Sequence, residues 1–179
     1  MLTTRERFQT VVTATEMVVL PILKAYDPKI QKLHFQYGHA IVIQEALKKM
    51  EGSPTAQYQR FPMVWIVEDF PERGIQPGLS VITPRIVVLH KTDKNYSREQ
   101  RQELVFKPIL WPIVAELLKQ IDDSGVLEVN YQVPGTTIER PHFGVEGVYG
   151  NGGYIIDAVL DSIEIVNKEL TIRRTECSA

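Results

Sequence analysis

The sequence predicts an α+β domain: a mostly antiparallel sheet packed against a long helix in the C-terminal half, with an amphipathic helix at the N-terminus. Three observations lead there. Apolar residues recur at spacings of three and four near the N-terminus and again between residues 97 and 121, the mark of one-sided helices. The segments between and after them either alternate apolar with polar residues or run almost continuously apolar, as strands do. With 179 residues, 44% of them hydrophobic and 23% charged, the chain suits one globular core. Residues 1–173 form that single domain, with 1–28 as an N-terminal helix that could serve as an arm and 174–179 as a flexible tail.

The first helix starts at Thr3 or Thr4 and runs to about Tyr26, with Phe8, Val11, Val12, Thr15, Val18, Val19, Ile22 and Leu23 on one face. Pro21 should bend it, and Asp27-Pro28 ends it. From Lys32 to Tyr37, Leu33, Phe35 and Tyr37 alternate with polar residues, the period of a half-buried strand. A short helix over about 40–50 follows, stopped by Gly52-Ser53-Pro54. Phe61 to Phe70 reads as a central strand opening into a loop, Pro71 to Gly78, and Leu79 to Thr92 as its antiparallel partner. Pro84 forces an edge position or a bulge in that partner.

Ser97 and Gln100 form a capping box for the long helix, which ends between Asp122 and Gly125. Pro108 and Pro112 each remove a backbone donor, so a break or sharp kink is expected there. Val126 to Val133 alternates as another strand, and Ile138 to Val148 holds one or two short ones. A final strand runs from about Asp157 to Arg173. Its apolar parity slips near Asn167, between Ile163 and Ile165 on one side and Leu170 and Ile172 on the other, which signals a bulge or turn.

Function classes narrow by composition. The net charge of -2 gives no general attraction for polyanions, which disfavours a dedicated nucleic-acid binder. Charge is nevertheless uneven: residues 1–50 carry 7 basic and 4 acidic groups, and residues 101–179 carry 7 basic and 12 acidic. Such polarity suits head-to-tail contact between copies. The single cysteine, Cys177, gives no internal disulfide framework and no thiolate zinc site. Val11 to Leu23 is too short and too often interrupted to span a bilayer, and the first ten residues lack a secretory h-region, so no membrane role is expected.

No catalytic, cofactor-binding or metal-binding set emerges. His34, His39, His90 and His142 are scattered, without ligand spacing. Residues 147–153 are glycine-rich but lack a phosphate-loop ending. Glu68-Asp69 could supply an acid and a base, with His90 or His142 as helpers, yet its place after a strand reads as a solvated loop. Trp65 and Trp111 lie in the most apolar parts of a strand and a helix and read as core.

The strings KLHFQYGH, FPMVWIVEDF, TPRIVVLHKTDKNY, YSREQRQELVFKPILWPIVAELLKQI and DAVLDSIEIVNKELTI, in that order, resemble tailed-bacteriophage neck proteins, the tail-terminator and head-tail joining proteins. The closing strand, with Asp157, Asp161, Ile163, Ile165, Leu170 and Ile172, is similar to their late strand. VWIVEDF and FKPILWPI also resemble stretches in virion proteins of phages of Bacteroidetes, crAss-like phages included. The likeness covers about residues 30–173; the double-proline helix and residues 134–156 depart from the pattern. It implies a tail-terminator-like fold and a virion protein made in the host bacterial cytoplasm. Its copies would form a sixfold or twelvefold ring in the neck or at the tail end, stacked on portal, connector or tail-tube proteins. DNA would pass through the lumen without specific binding. Glu68, Asp69, Phe70, Glu72 and Arg73 are the candidate subunit-interface residues. The alternative is an assembly factor or small binding domain that stays out of the particle.

Overall fold

The computed structural model describes residues 2–39, 60–143 and 160–173. The expected helix over 40–50, the glycine-rich stretch, Cys177 and the tail lie outside the described residues. Two antiparallel-rich sheets, an N-terminal helix and a long second helix make up an α+β fold, as the sequence predicts.

Helix α1 (Thr4–Tyr26) starts in a complete capping box: Glu6 N–H donates to the Thr3 hydroxyl, and the Glu6 carboxylate accepts from Thr3 N–H at 2.7 Å. Phe8, Val11, Val12, Thr15, Val19 and Leu23 are buried as expected, but Val18 and Ile22 are exposed. The buried stripe is narrower than the apolar one. Arg7 fastens the first turns from the side, donating to the carbonyls of Val126 at 2.7 Å and Arg173 at 2.9 Å.

The five-stranded sheet has the order β1 (His34–Gly38), β2 (Met63–Val67), β5 (Arg85–Lys91), β8 (Leu160–Val166), β7 (Thr136–Phe143). The β2 and β5 strands pair antiparallel, Met63 opposite Leu89 through Val67 opposite Arg85, whereas β1 joins β2 in parallel. The second sheet has the order β3 (Arg73–Gln76), β4 (Leu79–Ile82), β9 (Leu170–Arg173), β6 (Glu128–Val129). Two expectations change here. The supposed loop Pro71 to Gly78 contains β3, closed onto β4 by Pro77-Gly78 with Gly78 at φ 78°, as a type II turn requires. The strand expected over 126–133 is only two residues long, because Asn130 to Val133 turns away and leaves Tyr131 outside.

Both sheets are built on the same two chain segments. Thr83-Pro84 separates β4 from β5, and Asn167 to Glu169 separates β8 from β9. Ile82 faces Leu170 and Ile86 faces Ile165, so three residues on one segment oppose four on the other. Asn167 takes the extra position at φ 57°. Both the Pro84 interruption and the parity slip at Asn167 therefore mark one bend, where the ladder leaves one sheet and enters the other.

The long helix, residues 98–123, has Ser97 as N-cap with the expected Gln100 box. It comprises α2 (Arg98–Arg101), a π-helical stretch (Gln102–Leu110) and α3 (Trp111–Asp123). The prolines do not break it. In the wider turn Trp111 N–H reaches back five residues to the Phe106 carbonyl, and Pro112 stands where the π-helical stretch passes into α3, so the widened backbone accommodates both rings. The helix stops at Ser124, with Gly125 at φ 63°.

One core unites these parts. Phe8, Val12, Val19 and Leu23 of α1 meet Val105, Phe106, Ile109, Leu110, Ile113 and Leu117 of the long helix over Val64, Ile66, Ile86, Val88, Ile163 and Ile165. Ile82, Leu170 and Ile172 extend the same core onto the second sheet. The opposite face of the larger sheet is buried too, through Met63, Trp65, Val67, Val87, Leu89, Phe143 and Leu160, with Trp65 edge-on to Phe143 at 6.4 Å. Trp65 is core as expected; Trp111 instead reaches the surface and donates to Glu139 at 2.8 Å.

Candidate functional site

The five candidate interface residues lie together where the chain leaves β2 for the second sheet. Glu68, Asp69, Glu72 and Arg73 are exposed, while Phe70 packs partly against the core and anchors the segment. Glu68 N–H donates to the Gly38 carbonyl at 3.1 Å, and Glu72 accepts from the Ser80 hydroxyl. Glu68 and Glu72 also surround Tyr37, whose hydroxyl is pushed up chiefly by burial and further by these two carboxylates. Arg73 stands 3.7 Å from Glu169. The expected solvated loop is thus the root of an outward hairpin, and β3 is its exposed edge: all four residues face solvent, including Ile75 at 57%.

A second surface was not legible as such. Met17 (70% exposed), Val18, Ile22 and Tyr26 line the outer side of α1, making its second half apolar on both faces. Leu104 continues this strip, since the Tyr26 hydroxyl donates to the Leu104 carbonyl at 3.1 Å. Helix α1 has the bounds expected; by length and composition alone its 23 residues could cross a bilayer, and a third of its most apolar window is buried in this fold.

The third feature is polar and internal. Strand β8 carries Asp161, Ser162 and Glu164, all buried. On the helix side Arg101 donates to Asp161 at 2.7 Å, and His142 N–H donates to the same oxygen at 3.1 Å. His90 is the cross-strand neighbour of Asp161. As a residue it is half-buried, but its Nδ1 is shut off from solvent without a partner, as is the Asp161 Oδ2. Burial lowers the imidazole pKa to about 4, against a small opposing effect of Asp27. On the other side Arg85 grips Glu164 at 2.8 Å, and Arg140 Nε stands 2.8 Å from Glu164 Oε1 but too misaligned to hydrogen-bond.

A carboxylate beside an imidazole can serve acid-base chemistry. Here Asp161 has no exposed surface and is already held by Arg101, so the pair registers β8 against the long helix. Among the described residues no three His, Cys, Asp or Glu side chains converge as a metal site would need. His34, His39, Glu68 and Asp69 do not join His90 or His142 in one constellation. Among the described residues, the hairpin and the apolar strip on α1 face outward. No family model matches the chain, and no curated protein matches it.

Proposed function

We propose that the protein is a structural, non-catalytic part of a tailed-phage particle, a ring in the head-tail connector or at the tail end with a lumen for the genome. One observation carries the reading: the fold leaves two unlike surfaces unfinished, an exposed β-hairpin edge and an apolar helix strip. A twofold dimer needs one self-complementary patch, whereas a closed ring needs two different patches that complement each other, and stacking on a neighbouring layer needs a further one. The hairpin with Glu68, Asp69, Phe70, Glu72 and Arg73 serves the contact between copies. The α1 strip serves contact with the adjoining portal, connector or tail-tube layer. A net charge of -2 supports a lumen that lets DNA slide, because each phosphate neutralised by the wall would add drag. The α1 strip also supports a second reading, an assembly factor that captures a partner and leaves.

The test is peptide mass spectrometry of purified, DNA-filled particles from the source phage. A copy number matching six or twelve per portal is the expected result, and absence from intact particles sends the assignment to the assembly factor.

A further inference from the structure

We infer that neighbouring copies join by pairing β6 of one copy, antiparallel, with β3 of the next, so that the four-stranded sheet continues from copy to copy. This rests on the ring reading and specifies its contact. In the order β3-β4-β9-β6 every pairing is antiparallel, so β3 and β6 are the two outer edges and run in opposite directions. Placing β6 beside β3 of an identical copy therefore gives another antiparallel pair without turning either sheet over. Because the two edges differ, the contact is head-to-tail and can be repeated around a ring.

Among the described residues no hydrogen bond from outside the sheet reaches the backbone of β3 or β6. Their side chains are complementary. Arg73 on β3 is 67% exposed, and Glu128 stands on β6. Arg73 now stands 3.7 Å from the half-buried Glu169, just before β9, and Glu128 pairs with the exposed Arg173 of β9, so both edge side chains hold surface ion pairs weak enough to be shared with a neighbour. Each edge also offers one large exposed apolar side chain, Ile75 on β3 and Tyr131 just beyond β6. The edge at β7 is protected instead, by Pro141, by the register shift between Arg140 and Phe143, and by the charges of Glu139 and Arg140. Pairing β3 with β3 antiparallel about a twofold axis would end at a dimer.

The test uses the full chain with Cys177→Ser, after native mass spectrometry of the parent protein at high concentration. Carrying both Ile75→Cys and Tyr131→Cys, it is treated with a short bismaleimide. A ladder of covalent species up to the ring's copy number is expected from the double variant and none from either single variant. In parallel, Arg73→Glu and Glu128→Lys should each raise the concentration needed for assembly by about tenfold, and their combination should restore it. Dimers from Ile75→Cys alone would show that β3 edges pair with each other and overturn the inference. Rings that neither crosslink nor respond to the charge exchange overturn the pairing and leave the ring reading standing. A parent chain that forms no oligomer overturns both.

Discussion

Asp161 on β8 and Arg101 near the start of the long helix stand 2.7 Å apart, with 0% and 2% of their side chains exposed. The guanidinium also donates to the carbonyls of Tyr96 at 3.2 Å and Asp93 at 2.9 Å, and to the Thr92 hydroxyl at 3.4 Å. One side chain thus satisfies a buried carboxylate and stitches the turn between β5 and the helix.

Arg101→Ala should therefore cost about 3–5 kcal/mol, the usual loss when a buried ion pair is left with one charge. Asp161→Asn should cost less, since the amide oxygen can still accept. Combining Arg101→Leu with Asp161→Leu should recover only part of the loss, because the carbonyls of Asp93 and Tyr96 lose their donor as well. Urea unfolding of the three variants checks this ordering, and full recovery in the double variant would refute the stitching role.

His90 makes stability depend on pH. Its imidazole stays neutral in the fold down to about pH 4, whereas the unfolded chain takes up the proton near 6.5. Lowering the pH from 6.5 to 4 therefore favours the unfolded state, with a slope that approaches about 1.4 kcal/mol per pH unit. Below pH 4 this contribution stops changing. Carboxylates titrate over part of the same range, so the measurement is the difference between the wild type and His90→Asn. The variant should lose less stability between pH 7 and 4.5.

Charge reversal at Glu68, Asp69 and Arg73 together should stop assembly and leave the fold intact. All three are exposed, and the one ion pair disturbed, Arg73 with Glu169, is a surface pair worth at most about 1 kcal/mol. Circular dichroism melts should overlay those of the parent while native mass spectra shift to the monomer. Unchanged assembly would remove these residues from the interface.

The two faces of α1 should answer differently to substitution. Leu23→Ala should cost about 2–5 kcal/mol, because it opens a cavity in the core. Met17→Gln with Ile22→Gln should change stability by less than about 1 kcal/mol, within the range of exposed substitutions. If the proposed place in a particle is right, the same pair should weaken binding to the adjoining layer, read as loss of the protein from assembled particles.

What was legible in the sequence was local. Ser97 and Gln100 are three residues apart, and their capping box is present; Thr3 and Glu6 have the same spacing and form a second box that the sequence reading did not single out. Pro84 and Asn167 announced the bend through a missing donor and a slipped alternation, which act on neighbouring residues alone. Periodicity showed that α1 has an apolar face but not how much of it would be covered, so Val18 and Ile22 were assigned to the core and lie outside it. Pro71 to Gly78, which includes the candidate interface residues Glu72 and Arg73, reads as a loop for its two prolines and two glycines; only pairing with β4 makes Arg73–Gln76 a strand. The proline pair was expected to break the helix, and a π-helical turn absorbs it instead. Nothing local in the sequence singles out Arg101, since its partner Asp161 is 60 residues away and only the assembled fold brings them together.

The bend at Pro84 and Asn167 also has a mechanical meaning. Because β4 continues into β5 and β8 into β9, a pull on the β3–β4 hairpin travels along covalent chain into β5, and through the β4–β9 ladder and the chain beyond it into β8. The load is then borne by many rungs of two ladders at once, not by side-chain packing between separate layers. The sheets cannot slide past each other without tearing those rungs, so the hairpin is a stiff lever and not a loose flap.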